Sequence, residues 1–169
     1  ILSGDYYEPT VTAELYDPLS ESSSFASAPI YHRMLPTATL LMGGDVLYAG
    51  GMVAESEIYN PAKDQWKIVG SLNENRYESN ATLLADGRVL VTGGVAVSDS
   101  SILASTEIYD PLTETWTTAA PMNTPRRSHS STLLPNGKVL VAGGYSGMIL
   151  LPALKFTTRK PIPGRTQGP

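Results

Sequence analysis

The same short pattern of apolar and polar positions occurs at three places in the chain. In each copy a Thr-Leu-Leu triplet is followed by a polar turn, a second apolar triplet and a pair of glycines. The copies span residues 38–51, 81–94 and 131–144. Short apolar runs bounded by Gly, Asn and Asp are typical of buried strands joined by hairpins. Each copy therefore predicts two antiparallel strands, which we call strands A and B.

The turns between strands A and B support this prediction. Asp86-Gly87 and Asn136-Gly137 are dipeptides that favour two-residue type I′ turns, because both central positions of that turn need a positive φ. Gly43-Gly44 occupies the same place in the first copy. Each A–B pair is therefore expected to be a hairpin with a minimal turn.

Two further strand signals follow the glycine pairs at 50–51 and 93–94 and complete a four-stranded unit in each case. A Glu-x-Tyr segment ahead of Asp-Pro or Asn-Pro predicts strand C, since Pro cannot continue a ladder of hydrogen bonds. Trp66 and Trp116 mark strand D, and the first unit has Ser23 at this position, with Phe25 as a candidate substitute. No segment shows a helical period. Strands A and B are apolar on both faces, which predicts sheets that are covered on both sides.

These landmarks recur in step along the chain. The strand-C tyrosines are separated by 43 and then by 50 residues, and an arginine and the glycine pair keep the same spacing. The seven additional residues of the second interval lie between Gly94 and Thr106, in one loop. Units of this length with four strands describe the blades of a β-propeller. The recurring positions are Arg33, Arg76, Arg126, Gly50, Gly51, Gly93, Gly94, Gly143, Gly144, Tyr16, Tyr59, Tyr109, Trp66 and Trp116.

The residues of the repeat resemble a known family. An arginine, a strand, Gly-Gly, Glu-x-Tyr-Asp-Pro and a tryptophan, in that order, resemble the Kelch repeat. The segments DGRVLVTGG and TEIYDPLTETW are similar to the kelch type found in many bacterial multi-repeat proteins and related to the galactose oxidase propeller. The resemblance covers residues 2–144. It implies an all-β fold, a β-propeller of Kelch type, in which the glycine pair, the tyrosine and the tryptophan pack blade against blade.

The repeats divide the chain into a propeller segment, residues 1–151, and a basic tail rich in Pro and Gly, residues 152–169. The segment holds about three four-stranded antiparallel blades, because its first and last repeats supply two strands each. Its repeats are, in chain order, partial at 1–32, complete near 33–75 and 76–125, and partial at 126–151.

Three blades do not close a ring, since propellers typically have about four to eight blades. Open sheet edges also invite association. Three interpretations stay open. The chain is a fragment of a longer, larger propeller, which is the interpretation we favour. Alternatively, two copies form a homodimer that completes a six-bladed ring, or residues 148–158 add a degenerate strand C to the last blade.

The antiparallel strand order puts the D–A and B–C loops on one face of the propeller, which we call the loop face. The short A–B and C–D turns lie on the opposite face. Long, variable loops on a rigid scaffold are where binding residues concentrate. These side chains are either solvated loop residues without a ligand or a binding surface for a peptide, protein or glycan, with aromatic and Arg anchors. The candidates are Tyr6, Tyr7, Tyr31, His32, Tyr77, Asp99, Arg127, His129 and Tyr145.

The repeated arginines, Arg33, Arg76 and Arg126, have a structural interpretation that we favour over a ring of charge for a ligand. Each arginine is expected to hold a blade junction by hydrogen bonds. The sequence leaves open whether glutamates of strand C are their partners. The candidate glutamates are Glu14, Glu57 and Glu107.

Composition limits the chemistry that the chain can carry. The 169 residues include no cysteine, and His32 and His129 occupy non-equivalent positions in the repeat, so no metal site and no cofactor are predicted. A net charge of -4 argues against a nucleic-acid partner, and no apolar run is long enough to span a membrane. In the galactose oxidase class the copper site uses a Tyr cross-linked to a Cys, and this sequence contains no Cys.

The sequence therefore predicts a non-catalytic module for binding a protein or a glycan, or for scaffolding, built on Kelch repeats. The second hypothesis is a propeller fragment of a larger enzyme of the galactose oxidase-like class, with its catalytic residues outside this segment. Whether a longer parent protein is an enzyme stays open. The resemblance to bacterial kelch proteins and the Ser- and Thr-rich surface favour a secreted or extracytoplasmic location.

Overall fold

A computed structural model describes residues 12–147 of the chain. These residues form fourteen strands and no helix, so none of them belongs to an apolar helix that could cross a membrane. The strands are β1 (Ala13–Asp17), β2 (Ser22–Ala26), β3 (Thr37–Leu40), β4 (Val46–Ala49), β5 (Glu55–Asn60), β6 (Gln65–Ser71), β7 (Arg76–Tyr77), β8 (Asn80–Leu83), β9 (Val89–Thr92), β10 (Val95–Ala96), β11 (Thr106–Asp110), β12 (Thr115–Ala119), β13 (Ser130–Leu133) and β14 (Val139–Ala142).

Twelve of these strands form four antiparallel sheets, one for each repeat, in which neighbouring strands follow chain order. Blade 1 consists of β1 and β2, blade 2 of β3 to β6, blade 3 of β8, β9, β11 and β12, and blade 4 of β13 and β14. Blades 2 and 3 therefore have the predicted strands A to D. The described part of blade 1 is strands C and D, and that of blade 4 is strands A and B. The predicted all-β fold of four-stranded antiparallel blades is confirmed.

The A–B hairpins form as predicted, but their turns are of another type. Only the second residue of each dipeptide has a positive φ, for example 89° at Gly87. Gly87 N–H donates to the Leu84 carbonyl at 3.0 Å, and Leu84 N–H donates to the Arg88 carbonyl at 2.8 Å. These are the bonds of a three-residue loop, a type I turn followed by a left-handed glycine. The reason is the length of the loop: three residues separate Leu84 from Arg88, one more than a type I′ hairpin has, and Leu41 and Asp45 form the same bond around Gly43-Gly44.

The seven-residue insertion forms structure that the sequence did not predict. In blade 3, β10 in the B–C loop pairs with β7 in the preceding D–A loop. The chain then returns along β10, where Ile102 forms a bridge to Val95. The long loop is therefore held against the D–A loop by backbone hydrogen bonds, on the loop face of blade 3.

The core of the described residues lies between blades 2 and 3. The buried side chains come from both sheets, which therefore pack face to face as predicted. By contrast, Phe25 of blade 1 is 78% exposed and Leu140 of blade 4 is 53% exposed. The core residues are Leu41, Leu47, Ala49 and Leu72 from blade 2, and Val89, Val91, Tyr109 and Trp116 from blade 3.

Some predictions concern residues outside the range 12–147. Tyr6 and Tyr7, two of the loop-face candidates, lie outside the described residues, as do the degenerate strand C at 148–158 and the tail at 152–169.

Candidate functional site

A buried ion pair joins strand C to the D–A loop in each complete blade. In blade 2, Nη2 of Arg33 lies 2.8 Å from Oε2 of Glu57. In blade 3, Nη2 of Arg76 lies 2.9 Å from Oε1 of Glu107. Both arginine side chains are fully buried, and the carboxylates are at most 2% exposed. The repeated arginine and the repeated glutamate are therefore partners within one blade.

Backbone groups complete these ion pairs. In blade 3, Nη1 of Arg76 donates to the Gly93 carbonyl at 3.0 Å, and the Glu107 carboxylate accepts the Asn73 N–H at 2.7 Å. A buried ion pair is tolerated only when such hydrogen bonds satisfy its remaining atoms. The motif therefore fixes the D–A loop on the blade that follows it. The equivalent bonds in blade 2 join Arg33 to Gly50 and Ile30 to Glu57.

The glycine pairs lie where one blade meets the next. Gly51 N–H donates to the Arg76 carbonyl at 2.9 Å, and Gly94 N–H donates to the Arg126 carbonyl at 2.8 Å. A Cβ placed on Gly93 would overlap the carbonyl oxygen of Arg126, and the φ of Gly93 is positive. Glycine is therefore required at this junction for both space and backbone conformation.

The strand-D tryptophans connect neighbouring blades at their outer edges. Nε1 of Trp66 donates to the Ser27 carbonyl at 2.7 Å, at the end of strand D of blade 1. Nε1 of Trp116 donates to the Gly70 carbonyl at 3.1 Å, at the end of strand D of blade 2. The arginines, glycines and tryptophans of the repeat thus bind protein groups, and the candidates for ligand contact are the variable residues of the loop face.

A cleft of about 470 Å³ opens on the loop face between blades 3 and 4. Its walls come from the D–A loop of blade 3, the insertion, the D–A loop of blade 4 and the segment after β14. The insertion supplies one complete wall, so the cleft depends on the only loop that is longer than its counterpart in the other complete blade. The main lining residues are Tyr77, Val95, Ile102, Pro125, Arg127 and Ser146.

Arg127 is the charged group of this cleft. Its Nη1 lies 2.6 Å from Oε2 of Glu78, and its Cζ lies 5.3 Å from the ring centre of Tyr145. Backbone hydrogen bonds of 3.0 Å in both directions also join Arg127 to Tyr145. One third of the Arg127 side chain, 33%, is exposed. The ion pair and the aromatic ring therefore fix a guanidinium group that still presents donors to solvent.

Glu78 ties the loops of blades 3 and 4 together beneath Arg127. Its backbone has a φ of 54°, in the left-handed region, and its carbonyl accepts the Ser128 N–H at 3.0 Å. Burial alone would raise the pKa of Glu78, but hydrogen bonds from Ser128 and Arg127 and the charge of Arg127 hold that pKa below its ordinary value. Glu78 is therefore an ionised acceptor at neutral pH.

Other predicted candidates are distributed over the loop face. Asp99 lies in the insertion, next to the cleft-lining Ser100. Its carboxylate accepts the Ser101 N–H at 3.0 Å, and this hydrogen bond lowers the pKa of Asp99. Tyr31 and His32 lie in the D–A loop between blades 1 and 2, at a different junction. The structure thus brings Tyr77, Arg127 and Tyr145 together, with Asp99 at the margin of their cleft.

His129 lies in the interior and not on the surface of the loop face, where the sequence analysis put it. Its side chain is 6% exposed, and Nε2 lies 2.8 Å from Oγ1 of Thr92. Burial first, and then the charge of Arg126, lower the pKa of His129. The reason for the difference is that β13 begins at the next residue, so His129 already packs in the junction between blades 3 and 4. It is not accessible to a surface ligand.

Two parts of the cleft were missed in the sequence. Ile102 carries no motif, and the signal that could have found it is the greater length of the insertion. Glu78 contributes through a left-handed backbone at a position where Leu35 and Ser128, its counterparts in the repeat, are also left-handed. Nothing in these three residue types indicates that conformation.

Comparisons with known proteins agree with the fold. The family model of the Kelch motif matches residues 81–123, which contain the strands A to D of blade 3. No curated protein matches the chain. Among solved structures the chain is similar to a novel fungal alcohol oxidase of the AA5 family in complex with copper, with a TM-score of 0.71 and 21% identity. The match covers 84% of this chain and 34% of the oxidase, so the chain spans about a third of that protein.

The copper of that oxidase does not fit the described residues of this chain. No group of three or more His, Asp or Glu side chains within residues 12–147 is placed to hold a metal ion. His129 is bound to Thr92 in a blade junction, and His32 is exposed at another junction. The likeness to the oxidase therefore concerns the propeller scaffold.

The sequence match covers blade 3, whose strands, ion pair and glycines recur in blade 2, and the structural match covers 84% of the chain. The chain is built from Kelch-type repeats, and these repeats form blades of a β-propeller.

Proposed function

We propose that this propeller segment is a non-catalytic binding module whose ligand, a segment of a protein or a glycan, lies in the loop-face cleft between blades 3 and 4. The observation that carries the proposal is the convergence of Tyr77 and Arg127 in one cleft, with Tyr145 against the guanidinium. Tyrosine and arginine are enriched among the residues that supply most binding energy at interfaces. The cleft volume is also in the range of ligand sites.

The chemistry of the cleft suits contact with a ligand. The ring of Tyr77 offers an apolar face beside Ile102, and the exposed part of Arg127 offers N–H donors. Glu78 stays ionised under Arg127, so it acts as a fixed acceptor that orients the guanidinium and is not a reservoir of protons. An apolar surface next to oriented donors matches a sugar ring with its hydroxyl groups, or an extended peptide with its carbonyl groups.

The test is binding of the full 169-residue chain to a printed glycan array and to a random peptide array. Arg127→Ala and Tyr77→Ala are the site variants. Arg88→Ala is the matched control, because Arg88 is an exposed arginine, 45% exposed, paired with a carboxylate on the opposite face. We expect specific binding on one array that falls at least about tenfold in both site variants and is unchanged in the control. Specific binding that both site variants retain, or its absence on both arrays, would refute the proposal.

The second candidate is a propeller part of a larger enzyme whose catalytic residues lie outside this segment. The observation that favours it is the likeness to the alcohol oxidase over 84% of this chain. Its test is an alcohol oxidation assay of the longest protein in which the segment occurs, with and without added copper. Activity that requires copper would support this candidate, and its absence would leave the binding module as the better account.

A further inference from the structure

The two partial blades of the described chain are complementary halves of one blade. Blade 4 provides strands A and B, and blade 1 provides strands C and D. In blades 2 and 3, strand C lies along the outer edge of strand B. We propose that a second copy of this chain supplies this strand, so that β14 of one copy pairs with β1 of the other and the two halves form a four-stranded blade.

Charge complementarity identifies this partner. In each complete blade the repeated arginine pairs with a glutamate of strand C, and Arg126 is the same arginine in blade 4. Among residues 12–147, the side chain of Arg126 donates to the Gly143 carbonyl at 2.8 Å and meets no carboxylate. Glu14 is the strand-C glutamate of blade 1, and it is exposed. Glu14 of the second copy completes the ion pair of Arg126.

The loop ahead of Arg126 also has the second donor of the motif. Glu57 and Glu107 each accept the backbone N–H of the residue three before the arginine. In blade 4 that residue is Asn123, which is exposed. Glu14 of the second copy thus meets a guanidinium group and a backbone amide, the two donors that hold its counterparts in the complete blades.

The register of the pairing follows from the complete blades. There the strand-C glutamate pairs with the strand-B residue two before the glycine pair, and the next residue of strand C pairs with the residue before that. In blade 4 these positions are Val141 and Leu140. Val141 therefore pairs with Glu14 of the second copy, and Leu140 with its Leu15. The two leucines are 53% and 47% exposed in the single chain.

Blade 2 offers a surface for the incoming hairpin. A cleft of about 440 Å³ lies between blades 1 and 2 among the described residues, lined by apolar side chains that include Leu15 and Leu40. Leu40 is 62% exposed, although its counterpart Leu83 packs against the core between blades 2 and 3. The hairpin β13–β14 of the second copy covers this surface, as strands A and B of one blade cover the next.

Two copies joined in this way contain four complete blades and two composite ones. Six blades lie within the usual range of propellers, typically about four to eight. Each copy pairs its β14 with β1 of the other copy and its β1 with β14 of the other copy, so the two copies form a closed dimer. The inference goes beyond the proposed function, because it concerns sheet edges and not the loop-face cleft.

The first test uses the absence of cysteine from the chain. Leu15→Cys and Leu140→Cys are made separately, mixed at equal concentration and oxidised mildly, and the products are identified by non-reducing electrophoresis and mass spectrometry. The matched control mixes Leu140→Cys with Leu112→Cys, because Leu112 is 93% exposed in a C–D turn. We expect the 15–140 disulfide between copies at a yield at least about tenfold above the control. Equal yields would overturn the pairing.

The second test exchanges the charges of the composite ion pair. Light scattering during size exclusion measures the fraction of dimer, at twice 18.1 kDa, for Arg126→Glu, Glu14→Arg and the double variant. We expect the dimer dissociation constant to rise at least about tenfold in each single variant and to recover in the double variant. Circular dichroism checks that each variant is folded. A wild-type chain that stays a monomer, or single variants that dimerise as well as wild type, would overturn the proposal.

Discussion

The contact between neighbouring blades can be tested by the same substitution, Gly to Ala, at the first glycine of two of the glycine pairs. Gly93 and Gly143 hold the same position in the repeat, and both have a positive φ, 56° and 72°. A Cβ on Gly93 would overlap the Arg126 carbonyl oxygen and lie 3.0 Å from both the Met122 and the His129 side chains. A Cβ on Gly143 would have no atom of the described chain within 4 Å. Gly93→Ala and Gly143→Ala therefore share the backbone cost and differ in the contact with the next blade.

The expected costs follow from these contacts. An L-residue in the left-handed conformation costs about 1–2 kcal/mol, and this applies to both variants. At Gly93 the next blade must also move away, which costs about 1–3 kcal/mol for overpacking and about 1 kcal/mol for the hydrogen bond from Gly94 to Arg126. We therefore expect Gly93→Ala to lower the free energy of unfolding by about 3–6 kcal/mol, and Gly143→Ala by about 1–2 kcal/mol.

The assay is urea unfolding followed by circular dichroism and by tryptophan fluorescence. It is run at a concentration at which light scattering shows a monomer, so that contacts of Gly143 with another copy do not contribute. If Gly143→Ala is as destabilising as Gly93→Ala, the cost is the backbone conformation alone. The argument that the glycine pair is needed for the contact between blades would then be wrong.

Three further predictions concern buried polar groups. Glu57→Gln leaves the fully buried Arg33 without its carboxylate and should lower the free energy of unfolding by about 3–5 kcal/mol. Glu114→Gln, at the exposed pair with Lys67, should cost less than about 1 kcal/mol, and equal losses in urea unfolding would contradict this prediction. The buried Tyr109 hydroxyl has no partner among residues 12–147, so Tyr109→Phe should leave the melting temperature unchanged or raise it. Tyr59→Phe loses a 2.9 Å hydrogen bond to Asp64 and should lower the melting temperature. The opposite order would show that the Tyr109 hydroxyl is satisfied. The pKa of His129 is lowered in the folded state, so His129 is protonated at higher pH in the unfolded chain, and stability should fall as the pH drops below about 6.5. In His129→Gln the slope of the unfolding free energy against pH should be smaller. An unchanged slope would exclude this histidine as the source of the pH dependence.

Much of the fold follows from the sequence because the patterns of strands A, B and C each occur three times and the tryptophan of strand D occurs twice. Thr-Leu-Leu, the glycine pair and Glu-x-Tyr are local patterns, and a sheet with neighbours in chain order needs little more than local patterns. The predicted type I′ turn was wrong because the hairpin loops have three residues and not two, as between Leu84 and Arg88, and a dipeptide such as Asp-Gly does not by itself fix the length of the loop.

The candidate site was less predictable, because it depends on how loops fold back. Tyr77, Arg127 and Tyr145 were selected as residue types on the correct face, but their convergence is produced by backbone bridges that no periodicity reveals. His129 was predicted to lie on the loop face because its position in the repeat is in a loop. It is the residue directly before β13, however, and is already buried in the junction between blades 3 and 4. Whether a loop residue faces solvent is decided by the neighbouring blade, and that information is distant in sequence.

Hydrogen bonds join each complete blade to both of its neighbours, from its tryptophan to the preceding blade and from its glycine pair to the following blade. This arrangement affects how the chain unfolds. Each blade is held by its immediate neighbours, so stability behaves as a sum of terms for single blades and for adjacent pairs, as in a one-dimensional array. Among the described blades, 2 and 3 have two neighbours and 1 and 4 have one. In the monomer, opening should therefore begin at the two outer hairpins and proceed inward, and amide hydrogens of the central strands of blades 2 and 3, which are β4, β5, β9 and β11, should exchange last.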